Sequence, residues 1–147
     1  MAKLDALKPV FDLFRFTDIT IQTASFDEYA AMPKIHGLYS IWQGDTCVYV
    51  GQAGGKSGMK DRFKHHYNKA HAIFESKTGK KNSTSDTTGW ALGREQAWWN
   101  PLEWTVEYFE CAGEVNKSLL ETAMMKLFDP FCNEECLRDR QAGNKFL

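Results

Sequence analysis

Apolar positions along this chain switch between helical and strand spacing, and each switch marks an element. The opening carries Leu4, Leu7, Val10, Phe11 and Phe14 at helical spacing. Ile19-Thr20-Ile21 and a short turn or helix over residues 25–32 follow. Residues 37–42 and 47–51 are short apolar runs that read as strands. They are joined by Gln43-Gly44-Asp45-Thr46, whose Gly-Asp pair suits a tight hairpin. The hairpin brings Tyr39 and Tyr49 onto neighbouring strands. Their spacing of ten residues does not fix their faces, because the chain reverses direction between them.

A glycine-rich turn, Gln52–Gly58, leads into a helix starting near Met59. On it Met59, Phe63, Tyr67 and Ala70 share one stripe, with Arg62 and His66 at its edge. The i,i+4 relation puts Arg62 and His66 on the same face, converging on the hairpin. Residues 75–101 read as an insertion: a polar loop, then a short helix through residues 90–99, stopped by Asn100-Pro101. Residues 102–110 alternate as a third strand, with Trp104, Val106 and Tyr108 on one face. A second helix is expected from about Ser118, with Leu120, Ala123, Met124, Leu127 and Phe128 inward and an end before Pro130. Glu121 sits beside that stripe, so its carboxylate is expected at the sheet surface.

Composition narrows the class. A chain of 147 residues, 43% hydrophobic and 25% charged, is an ordinary globular protein with one core, and we expect one domain over residues 1–147. No apolar stretch approaches the ~20 residues of a membrane helix, and the N-terminus lacks the apolar run of a secretory signal. Cys47, Cys111, Cys132 and Cys136 read as reduced thiols of a cytoplasmic protein. Cys132 and Cys136 have loose zinc-like spacing, but no second ligand pair follows.

Charge changes the picture more. The net charge is −1, yet residues 56–81 hold eight basic residues against two acidic ones. That window therefore carries +6 and the remainder −7. Lys56, Lys60, Lys64, Lys69, Lys77, Lys80 and Lys81 form a stripe suited to backbone phosphates.

Gly37-Leu38-Tyr39 and Tyr49-Val50-Gly51 are followed by Arg62, by His66 four residues on, by Glu121, and by Asn133 twelve beyond that. In this order and spacing they resemble the GIY-YIG nuclease superfamily over about residues 36–133. The resemblance implies an α+β fold: a small three-stranded antiparallel sheet flanked by helices, here with an inserted loop-helix segment. It implies a metal-dependent endonuclease, with Tyr39, Tyr49, Arg62, His66, Glu121 and Asn133 as its catalytic set. Glu121 would be the one carboxylate ligand of Mg2+, for which Mn2+ can substitute. Arg62 would hold the scissile phosphate. Tyr49 would act as general base or position the water, and Tyr39 would contact phosphate or water. His66 would hydrogen-bond Tyr49 or take protons itself; the sequence does not choose. Asn133 would tie the loop after the Glu121 helix to the site. One position departs from the pattern: many relatives have lysine where this chain has Gln52.

With no room for an appended DNA-binding domain, the chain looks most like small restriction-type members and phage endonuclease II. Such an enzyme would act on double-stranded DNA in the bacterial cytoplasm, as a dimer or tetramer. A catalytically silent DNA-binding module and an RNA nuclease are the competing readings.

Overall fold

Residues 2–76 and 99–133 are described from a computed structural model, with the backbone alone over residues 71–76. Most of the expected insertion, including Lys77, Lys80, Lys81, Trp90 and Trp98, lies outside the described residues, as does Cys136.

The fold is α+β, as expected, but its antiparallel sheet has four strands among the described residues. They are β1 (Gln22–Ser25), β2 (Gly37–Gln43), β3 (Thr46–Ala53) and β4 (Thr105–Glu110), in the order β1-β4-β2-β3. The extra strand forms one residue beyond Ile19-Thr20-Ile21. The β2–β3 hairpin turns at Gly44-Asp45, with Gly44 at φ +58°. A positive φ at the first central residue is what a type II′ turn requires, and glycine supplies it without strain.

Helices cover both faces of the sheet. On one face, helix α2 (Gly58–Ser76) buries Met59, Phe63 and Ala70 against Tyr39, Ile41, Val48, Val106 and Tyr108. On the other, helix α3 (Glu114–Phe128) buries Leu120, Met124 and Met125 against Leu38, Trp42, Val50 and Phe109. Leu4, Leu7 and Phe11, from a 3-10 turn and helix α1 (Lys8–Leu13), complete that second core. Coverage on both sides explains why central strand β2 is buried from Gly37 to Trp42 instead of alternating. The expected inward set on α3 needs correction: Leu127 is 50% exposed, and Met125 takes the buried place. The helix also begins four residues before Ser118.

The N-terminal segment is held by a buried acid. Both carboxylate oxygens of Glu107 accept backbone N–H groups, from Lys3 at 2.9 Å and Leu4 at 2.7 Å. Trp99 is buried and packs edge-on against Trp104, with ring centroids 4.7 Å apart, so it serves the core.

Candidate active site

The hairpin register puts Tyr39 opposite Gly51 and Ile41 opposite Tyr49, so both tyrosines lie on the α2 face. Their rings stack with centroids 6.2 Å apart and an interplanar angle of 27°. Gly51 is required for this contact. A Cβ there would run into the Tyr39 hydroxyl and approach Tyr49 Cε1 to 3.0 Å.

His66 completes the cluster. Its Nε2 lies 2.6 Å from the Tyr39 hydroxyl, and its ring centroid is 4.9 Å from that of Tyr49. The expected place of His66 at the edge of the helix stripe is corrected: it is fully buried. Helical periodicity already carried that signal, since position 66 falls between positions 63 and 70 on the stripe. Burial first, then the positive charges of Arg62, His65 and Lys69, hold its pKa well below the ordinary histidine value of 6.5. The imidazole is therefore neutral at neutral pH, and its Nε2 shares with the Tyr39 hydroxyl a hydrogen bond whose direction the ring tautomer sets.

The two tyrosines have different access. Tyr39 is fully buried and spends its hydroxyl on His66, whereas Tyr49 is half-buried at the outer strand of the sheet. Of the two rings, Tyr49 is the more accessible. Arg62, half-buried, lies one helical turn before His66 on the same face.

Asn133 belongs to the backbone of β3. Its Oδ1 accepts from Val50 N at 2.9 Å and its Nδ2 donates to Val50 O at 2.8 Å. Phe131 N and Cys132 N donate to the Cys47 and Val48 carbonyls, each at 2.9 Å. The chain after α3 thus covers the outer edge of β3 beside Tyr49. This cover also holds Tyr49 and Gly51 in register.

Glu121 is half-buried on α3, the helix of the opposite sheet face. Tyr39, Tyr49, Arg62 and His66 thus come from β2, β3 and α2, and Glu121 from the helix whose apolar side packs the other sheet face. Residues 131–133 close the edge at Cys47–Val50. Lys56, Lys60 and Lys64 are exposed at the start and along the outer side of α2, and Lys69 is half-buried. Gln52, where a lysine was expected by resemblance, is half-buried and shares the face of Leu38, its partner in the register.

Among the described residues no cluster of three or more His, Cys, Asp or Glu side chains is arranged to hold a metal. A single carboxylate suits Mg2+, which keeps much of its water shell and takes phosphate oxygens. It does not suit zinc, whose sites use three or four protein ligands.

No protein-family model matches the chain, and no curated protein matches it. Among solved structures, it is similar to the GIY-YIG N-terminal endonuclease domain of UvrC from Thermotoga maritima bound to its catalytic divalent cation, magnesium. That likeness has 15% identity and a TM-score of 0.45, covering 73% of this chain and 92% of the other. A point mutant of the same domain, bound to its catalytic divalent cation, gives 14% identity and a TM-score of 0.44 over the same shares. Identity this low leaves the chemistry to be argued from this chain's own residues. No described helix is long and apolar enough to cross a membrane.

Proposed function

We propose that this protein is a metal-dependent endonuclease of the GIY-YIG kind that hydrolyses phosphodiester bonds in double-stranded DNA. The observation that carries the reading is the stacked Tyr39–Tyr49 pair braced by a buried, neutral His66 beneath a set of cations. A structural core has no need to bury a histidine among positive charges, whereas a phosphate site does.

Tyr49 is the group that meets the attacking water. Its position is fixed from below by the Tyr39 ring, which His66 in turn holds through the 2.6 Å hydrogen bond. Arg62 neutralises the scissile phosphate and, as a planar cation with paired donors, binds two of its oxygens. Glu121 would hold the Mg2+, which supplies charge neutralisation for the phosphate and the leaving oxygen. As the water oxygen bonds to phosphorus and the leaving P–O bond breaks, a water proton passes to the Tyr49 oxygen while the phenol releases its own proton to solvent, and the leaving oxygen takes a proton from solvent. Lys56, Lys60, Lys64 and Lys69 take flanking phosphates; Lys77, Lys80 and Lys81, outside the described residues, belong to the same proposal. Asn133 positions β3 rather than taking part in chemistry.

One such site cuts one strand per event, so we read the enzyme as a homo-oligomer of the small restriction-type or phage endonuclease II sort, acting in the bacterial cytoplasm. Incubating the protein with supercoiled plasmid in Mg2+, with and without EDTA, tests the reading. Nicked or linear product that EDTA abolishes supports it. Intact plasmid under all divalent ions, together with DNA retention in a mobility shift, would instead make the chain a binding module.

A further inference from the structure

Lys117 is a charged side chain that no part of the proposed mechanism uses. It lies in the first turns of α3, where the sequence pattern gave no helix, and its side chain is only 4% exposed. Its Nζ pairs with Glu114 Oε1 at 3.2 Å, but the Glu114 side chain is 86% exposed and well solvated. A solvated carboxylate offers little to offset the desolvation of an ammonium. Within the fold, the charge of Lys117 is felt at Cys111, where burial pushes the thiol pKa up and Lys117 opposes the push.

Above the ammonium lies an open turn. A Cβ built on Gly54 would stand 3.4 Å from Lys117 Nζ and meet no other atom within contact distance. At the next residue, Gly55, a Cβ would meet nothing within 4 Å, and its φ of +80° favours glycine. Both glycines are exposed, and a Gly54 Cβ would meet the ammonium before any other atom. The turn leaves β3 three residues after Gly51 and enters α2, so it bridges the two sheet faces. On its α2 side stand exposed Lys56 and Lys60. On its α3 side Lys117 lies one helical turn before Glu121, on the same helix face.

We propose that Lys117 and the Gly54-Gly55 turn form a phosphate subsite, which takes a backbone phosphate of the nucleic acid next to the scissile one. The proposal rests on the endonuclease reading above and extends it to a residue outside the six-residue catalytic set. Because the glycines leave the approach open, any side chain placed there obstructs it.

The test measures binding of a short DNA duplex in Ca2+ over a series of salt concentrations, and plasmid nicking in Mg2+. The proteins compared are wild type, Lys117→Met, Lys117→Arg and Gly54→Val. Lys117→Met keeps the apolar stem and loses the charge. It should weaken duplex binding on the order of fivefold and lower the log–log salt slope by about 0.9, one phosphate contact. Lys117→Arg should restore most of both. Gly54→Val leaves the lysine in place, covers it, and should raise KM with kcat nearly unchanged, so a misfolded Lys117→Met protein would not rescue the idea from test. Affinity, slope and KM at wild-type values in Gly54→Val, with a folded Lys117→Met equally unaffected, would make Lys117 a structural lysine while the endonuclease reading stands. A wild type that neither binds nor nicks DNA overturns both proposals. Orthophosphate at matched ionic strength is the last arm. If it displaces duplex from wild type but not from Lys117→Met, the subsite belongs to the free anion and the nucleic-acid assignment falls.

Discussion

The Tyr39 hydroxyl and Nε2 of His66 share a 2.6 Å hydrogen bond inside the core, where the His66 ring also lies 4.9 Å from that of the half-buried Tyr49. Under the proposed function, the tyrosine of the first motif would be a brace and that of the second the group facing substrate.

That division separates two conservative substitutions. Tyr49→Phe should cut the plasmid nicking rate by about 10²-fold or more, the scale of a lost proton-transfer group, with the fold intact. Tyr39→Phe should instead destabilise the protein by about 1–3 kcal/mol, because His66 Nε2 loses the hydrogen-bond partner it faces in the core. Denaturant melts and single-turnover nicking distinguish the two; equal behaviour of both variants would undo the assignment.

Acid should destabilise the protein through His66. Its folded pKa is depressed below 6.5, so at falling pH the unfolded chain takes up a proton that the native state refuses. The stability that neutral His66 contributes is complete above about pH 6.5 and is lost as pH falls below it, at up to about 1.4 kcal/mol per pH unit. His66→Gln should flatten that acid limb. Urea midpoints measured from about pH 7 down to about pH 5 check this, and parallel curves for the two proteins would contradict it.

Glu121→Gln should abolish Mg2+-dependent nicking and leave duplex binding in Ca2+ close to wild type, since the amide keeps the shape and loses the anionic ligand. Near-normal nicking by this variant would remove Glu121 as the metal ligand.

Arg62→Ala should slow nicking at least ~10²-fold, the cost of one lost transition-state donor. Arg62→Lys should recover little of it, because a point charge does not reproduce a two-pronged contact. Full recovery by lysine would reduce Arg62 to general electrostatics.

Asn133→Ala removes both hydrogen bonds to Val50 and leaves a buried N–H and C=O unpaired. A loss of about 1–3 kcal/mol is expected. Hydrogen exchange at the Val50 amide should accelerate well beyond that of its neighbours in β2, which keep their ladder partners. Uniform exchange across both strands would argue that the edge is held by Phe131 and Cys132 alone.

The sequence alone determined the hairpin, the α2 stripe of Met59, Phe63 and Ala70, and the Trp104–Val106–Tyr108 face of β4. Each rests on a local period of apolar residues or on local turn chemistry, which neighbouring positions suffice to specify. Tertiary structure decided what depends on contacts between distant segments. It inserted β4 between β1 and β2, and it turned Asn133 into an edge partner of Val50. It packed the helix that carries Glu121 on the sheet face opposite α2. Burial of His66 was half legible: its helical angle pointed inward, but the Tyr39 hydroxyl that its Nε2 meets there comes from 27 residues away. Lys117 was hidden for a related reason. A lysine reads as surface from sequence, and its withdrawal from solvent required the Gly54 turn to arrive beside it. Periodicity reports which side of an element faces inward; what a buried polar atom bonds to is fixed by chain segments that meet only in the folded state.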